Sequence, residues 1–230
     1  MNSISLEQAF KIGWTAFMSR PAYWLLLATP SVLSSAINSV VRARLLVVTP
    51  ATIWTWMAVI VLVSWIAYVI GTVQSLRDVG VLTTPDSDAP RYGRVAWVMF
   101  IVLVVVGAIG LGVGTLPYTI GKSLDPAFFK PMMMASIVLD AFVMVAFFVF
   151  FLIVWPYSLI AAEESHSFFA LLGKAAEMTR GYRGMLFVFF IIRFLLNLPL
   201  RYTYGITDFI MFPLVTLASA SIYGQMKQRV

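Results

Sequence analysis

Long apolar runs separated by short polar breaks dominate the chain. Charge-poor stretches occur at residues 21–41, 53–73, 95–120, 133–161, 185–200 and 204–223. An apolar helix needs about 20 residues to cross a bilayer core. The pattern therefore predicts an all-α polytopic membrane protein, a single integral membrane domain over residues 1–230 with six transmembrane helices. The fifth run is the shortest, and at about 1.5 Å per residue it covers only about 24 Å. It must end shallow, or the bilayer must thin around it.

Two segments carry a helical period instead of a continuous apolar run. Before the first span, Leu6, Ala9, Phe10, Gly13, Trp14 and Phe17 recur at three- and four-residue steps, with Glu7, Lys11 and Thr15 opposite. Before the fifth, Phe168, Leu171, Leu172, Ala175 and Met178 form a similar stripe, with Lys174, Glu177 and Arg180 opposite. Both patterns predict amphipathic helices, at about 6–18 and 168–179, lying along the membrane surface before the chain turns inward. Ser5 followed by Gln8 fits a capping box at the start of the first. At an offset of 160 the two segments align: Gly13 with Gly173, Met18 with Met178, Ser19 with Thr179 and Arg20 with Arg180. Pro21 and Gly181 then stand at the same helix-breaking corner. A parallel internal repeat would produce this correspondence.

Charge orients the spans. Of the 230 residues, 61% are hydrophobic and 11% charged, against about a quarter charged in soluble domains. Six spans place both termini on one side. That side holds Lys11, Arg20, Arg77, Arg91, Arg94, Lys174, Arg180, Arg183, Lys227 and Arg229; the other holds Arg42, Arg44, Lys122, Lys130 and Arg201. Ten against five predicts both termini in the cytoplasm. The net charge of +6 then reads as topology and contact with anionic lipid, and nucleic acid is not an expected partner. The first twenty residues lack the basic-then-apolar pattern of a cleaved signal peptide. No cysteine is present, which excludes disulfides, thiolate metal sites and iron–sulfur clusters.

The stretch "WPYSLIAAEESHSFFALLGKAAEMTRGYRGMLF" resembles a widespread family of bacterial six-span membrane proteins. That family is related to the membrane domain fused to some glycerophosphodiester phosphodiesterases. In the family a span ends near an acidic residue, here Glu163 or Glu164, and an amphipathic helix closes on a Thr-Arg-Gly corner, here Thr179, Arg180 and Gly181. The opening "FKIGWTAFMSRPAYWLL" resembles the family's start. The resemblance implies a fold and a membrane location. It supplies no catalytic residue, and the phosphodiesterase catalytic domain has no counterpart in this chain.

Three charges fall inside the spans: Asp140, Arg193 and Asp208. A charge at the bilayer centre costs about 3 kcal/mol on insertion scales, so each needs a reason. The simplest is a buried Asp140–Arg193 pair between consecutive spans, with Asp208 at the outer interface or sharing Arg193. Arg193, Asn197 and Arg201 also share one helical face, as do Ser34, Asn38 and Arg42 in the first span, with Ser31, Ser35 and Ser39 alongside. Two readings apply to these faces. Ser and Asn can be interhelical glue, or Asn38, Arg42, Arg193, Asn197 and Arg201 can line a groove for an anionic or lipid head group, since Arg forks match such anions.

Little else suggests chemistry. Glu163, Glu164 and His166 stand together, but adjacent glutamates point apart on a helix and no second histidine exists, so neither a metal site nor a bis-histidine haem is expected. "GAIGLGVGT" lacks the strand context of a nucleotide loop and reads as a close-packing face. No cofactor is expected, and an enzyme is the least favoured class. Two functions remain: a non-catalytic membrane protein that packs in or organises an inner-membrane assembly with other membrane-protein subunits, or a transporter or lipid-handling protein with an anion-binding groove between the first and fifth spans. Membrane lipids are the expected partners of both.

Overall fold

A computed structural model describes residues 4–42, 50–83, 89–123, 126–197 and 207–229. Among them every regular element is a helix: α1 (Leu6–Ser19), α2 (Pro21–Arg42), α3 (Pro50–Asp78), α4 (Ala89–Ser123), α5 (Pro126–Val154), α6 (Tyr157–Glu163), α7 (Phe168–Thr179), α8 (Arg183–Asn197) and α9 (Asp208–Lys227). Four stretches are long and apolar enough to cross a membrane: Ala58–Asp78, Ala89–Ile109, Ile137–Glu163 and Asp208–Lys227. The chain thus has the character of an all-α membrane protein. The predicted first and fifth spans correspond to α2 and to the 15-residue α8.

Both amphipathic stripes fold as separate helices, and both are used inside the protein. Ser5 caps α1, its hydroxyl accepting from the Gln8 amide at 3.1 Å, and Ser167 caps α7 by accepting from Ala170. Ser5 donates its own amide to the Gln225 side chain, while Gly13 abuts Leu217 and Ala218. The chain of α1 therefore runs against the direction of α9. Ala9, Gly13, Ala16 and Phe17 are buried there, and Trp14 is left 46% exposed at the edge of the stripe. The stripe of α7 buries Leu171, Ala175 and Met178, with α5 and α6 as the helices it packs on. Arg20 and Arg180 are the C-caps of α1 and α7, and both are exposed. Pro21 opens α2, where a missing N–H costs nothing.

The fourth predicted span is not one helix. Pro156 lacks an N–H and its ring crowds the preceding turn, so α5 stops at Val154 and α6 restarts at Tyr157. The interruption orphans carbonyls, and the buried Thr179 hydroxyl donates to one of them, Ile153 O, at 2.6 Å. The second span, by contrast, runs past its predicted end at Val73 to Asp78. Its polar extension is tolerated because it is satisfied: Asp78 accepts from Trp24 Nε1 at 3.0 Å and from Gln74 Nε2 at 2.8 Å. Gly80 then ends the helix in the left-handed region, with φ of 78° and the Val81 amide bonded back to Leu76 O.

The core gathers where α1, α6, α7 and the ends of α3 and α9 meet, around Leu76, Ile160, Leu171, Leu186, Phe189 and Ile222. A second cluster holds Phe17, Trp24, Leu27 and Leu217. Polar clasps ring this end. Glu163 accepts from the Tyr223 hydroxyl at 2.6 Å and from Lys227 at 2.9 Å, joining α6 to α9. Arg94 donates to Ala161 O and Ala162 O, tying α4 to the end of α6. Beyond this layer the bundle loosens: Val138, Phe142 and Met144 of α5 are each about 70% exposed.

Candidate functional site

Between the helices lies a cavity of about 670 Å³ that reaches to within about a turn of the clasps, at Ser75, Leu159 and Ser219. It is lined from seven helices: by Ser31 of α2, Trp65, Tyr68, Thr72 and Ser75 of α3, Met99 to Val106 of α4, Phe148 and Phe151 of α5, Tyr157 and Ser158 of α6, Phe190 and Arg193 of α8, and Asp208 to Ser219 of α9, with Trp155 at the α5–α6 junction. Along α9 the lining runs from Asp208 to Ser219, eleven steps of about 1.5 Å, so the space extends about 16 Å along that helix.

Many of its polar groups are already engaged. Thr72 donates to Tyr68 O, Ser75 to Thr72 O, Thr216 to Phe212 O and Ser219 to Val215 O, each within its own helix at 2.7–2.9 Å. These residues offer small volume more than free hydroxyl protons, which is why the cavity has room beside them. The Tyr157 hydroxyl lies 3.2 Å from Met99 Sδ. Tyr68, Ser158, Trp65 and Trp155 also line the space, and most of the remaining wall is Val, Leu, Met and Phe.

At one end stands a polar group. The Ser31 hydroxyl donates to Asp208 Oδ2 at 2.6 Å, bridging α2 to the first residue of α9. A carboxylate there also faces the positive end of its own helix. Asp208 is buried, whereas Arg193 is exposed and borders the same cavity. Ser31 and Arg193 each sit ten residues past the first residue of their helix, about 15 Å along it. Two further donors line the space: Nε1 of Trp65 and Nε1 of Trp155 are buried with no acceptor among the described residues. Trp155 packs edge-on against Phe190, one turn before Arg193 on α8.

Of the intramembrane charges, Arg193 and Asp208 thus meet at one cavity. The side chains of Asp140, Asn38, Arg42 and Asn197, and all of Arg201, lie outside the described residues, as does any Asp140–Arg193 pairing. The Ser31–Asp208 bridge joins residues 177 positions apart, and the sequence pattern pointed to neither that bridge nor the two indoles. Aromatic residues in an apolar run read as core, and only the folded chain shows which of their N–H groups lack an acceptor. Glu163 and Glu164 do point apart: the first turns to Tyr223 and Lys227, the second to Lys174 and His166. Among the described residues no three acidic or histidine side chains gather as a metal site would require. Set against protein-family models, curated proteins and solved structures, the chain matches none of them.

Proposed function

We propose that the chain is a non-catalytic six-span protein of a bacterial inner membrane, both termini cytoplasmic, which handles lipids by holding a lipid-like amphiphile inside its helix bundle. The cavity is the observation that carries this reading. Its walls are largely apolar, four of its hydroxyls are engaged by their own helices, and it carries two charged groups, the buried Asp208 and the exposed Arg193. That arrangement suits a ligand with a tail and a head. Pockets for small ligands typically enclose about 300–1,000 Å³ and are mostly apolar with a few placed polar groups. The ten-to-five charge asymmetry supports the orientation, and with it Ser31 and Arg193 fall near the middle of a core about 30 Å thick. The resemblance to the six-span family agrees with a membrane location.

Gentle purification in detergent followed by native mass spectrometry tests the reading: lipid-sized adducts should persist under activation that strips detergent. A chain that emerges bare, beside an unrelated helical membrane protein purified in parallel that is equally bare, would remove it. Orientation is tested separately. A cysteine placed at Ser165, which is exposed between α6 and α7, should be shielded from an impermeant thiol reagent in intact cells, and labelling there would invert the topology.

A second reading has its own support. The outward residues of α5 (Val138, Phe142 and Met144) touch little of their own chain, as a helix that packs in a larger membrane assembly would. Stoichiometric co-purification of another membrane protein, lost on Phe142→Ser, would favour that role.

A further inference from the structure

We infer that the head of the bound amphiphile is an oxyanion, a carboxylate or phosphate monoester on a single apolar tail, held by the indole N–H groups of Trp65 and Trp155 and by the Arg193 guanidinium. The inference rests on the lipid-handling reading and names the ligand class that reading leaves open. The cavity is lined by two indoles whose N–H groups have no acceptor among the described residues. Trp155 is 9% exposed, and its Nε1, like that of Trp65, is buried. Indole nitrogen can only donate. A buried donor left without an acceptor is unfavourable by the full cost of stripping its water, so two of them on one cavity call for acceptor oxygens inside it.

The hydroxyls of Thr72, Ser75, Thr216 and Ser219 commit their protons to helix carbonyls, so towards a bound molecule they can act only as acceptors. Asp208, the cavity's carboxylate, already accepts from the Ser31 hydroxyl. Arg193 supplies the charge. Guanidinium stays protonated, and its planar fork matches a carboxylate or phosphate. It is exposed, so its charge is available to a ligand at the cavity's edge. The size sets the tail: 670 Å³ stretched along about 16 Å of α9 accommodates one acyl chain with a compact head, and a two-tailed phospholipid would overfill it.

The full chain in maltoside micelles can be titrated by displacement of a dansylated fatty acid, using four probes that share one tail: oleate, oleoyl-lysophosphatidate, oleyl alcohol and oleylamine. Oleate or the lysophosphatidate should bind at least about tenfold more tightly than the alcohol, and the amine most weakly. Which of the two anions is tighter distinguishes a carboxylate site from a phosphate site. Arg193→Gln should erase the preference for the anion while leaving the alcohol's affinity unchanged. Trp155→Phe and Trp65→Phe, which remove one N–H each and keep an aromatic ring, should each weaken the anion about tenfold. Either indole variant suffices if the other does not fold, with unfolding temperature as the check. Equal binding of alcohol, amine and anions, or insensitivity of the anion to Arg193→Gln and to both indole variants, overturns the oxyanion assignment while leaving a lipid cavity. Failure of all four probes to displace the dansylated acid from a folded protein overturns the lipid-handling reading itself.

Discussion

The two halves of the bundle treat their polar groups in opposite ways. At the end that gathers α1, α6 and α7, most buried polar side chains have named partners, Gln225 Nε2 excepted among the described residues: Asp78 with Trp24 and Gln74, Glu163 with Tyr223 and Lys227, Arg94 with the last carbonyls of α6, Thr179 with a carbonyl left free where α5 ends. Around the cavity, two indole N–H groups lack an acceptor among the described residues and an arginine stands exposed inside an apolar helix. Saturated hydrogen bonding rigidifies a fold, and an unsaturated donor set asks for something to bind. One end therefore serves to hold the helices together, and the other is available for a ligand.

The sharpest way to break that contrast is to remove one group from each half. The Asp78 side chain is 7% exposed and organises Trp24, Gln74 and, at 3.6 Å, Arg20. Asp78→Ala leaves the indole of the fully buried Trp24 without its acceptor, and unfolding in detergent should show a loss on the order of 3 kcal/mol. Arg193→Leu should stay within about 0.5 kcal/mol of the parent, as expected for an exposed side chain with no partner among the described residues. A buried Asp140–Arg193 pair makes the opposite forecast, a loss of about 3–5 kcal/mol for Arg193→Leu, largely recovered when Asp140→Leu is added. If Arg193→Leu proves as costly as Asp78→Ala, the division of the molecule into a holding end and a binding end fails.

The holding end was the more legible half. Amphipathic periods announced α1 and α7, Ser5 announced a cap, and the basic corners appear as the C-caps Arg20 and Arg180. Those signals are local, so a sequence carries them. The use of the stripes was not legible: periodicity tells that a face wants burial, and the partner that buries it, here α9 for α1, depends on contacts some 200 residues away. The same limit hid Asp78, whose position after Val73 looked like the end of a span, until Trp24 supplied its donor. Pro156 was visible in the chain, yet Pro30 and Pro213 lie inside continuous helices. A proline alone does not tell which helix will break. At the cavity, Arg193 and Asp208 were conspicuous as charges in apolar runs, and their meeting at one space required the fold.

The offset-160 correspondence offers a finer cut, because equivalent glycines have different surroundings. A Cβ on Gly13 would sit 3.1 Å from the Ala218 backbone nitrogen and 3.4 Å from Leu217 Cβ, whereas one on Gly173 would meet nothing within 4 Å. Gly13→Leu should wedge α1 from α9 and cost about 1–3 kcal/mol. Gly173→Ala, at an exposed position within α7, should gain up to about 1 kcal/mol from helix propensity. Equal responses at the two sites would mean that α1 does not cross α9 as described. The unequal responses expected here would show that the two aligned segments are used differently, one helix docked at a glycine and the other with its glycine facing outward.

The smallest effect concerns Glu164, at the rim of the holding end. Its hydrogen bond from Lys174 pulls the carboxyl below its ordinary range, partial burial opposes that shift, and His166, 2.7 Å away, adds to it. A carboxyl whose folded pKa is depressed contributes stability that is fully present above the unfolded value, about 4.3 for Glu, and is lost as pH falls through the folded value. The unfolding temperature of the parent should therefore drop more steeply than that of Glu164→Gln as pH is lowered from about 6 toward 3, with the two curves closest at the acid end. All three side chains are a third or more exposed, so salt should shrink the difference. Curves that run parallel throughout would show that the Lys174 contact contributes nothing to folding. The network would then end at Glu163, whose side chain is 6% exposed although its partner Lys227 is half exposed.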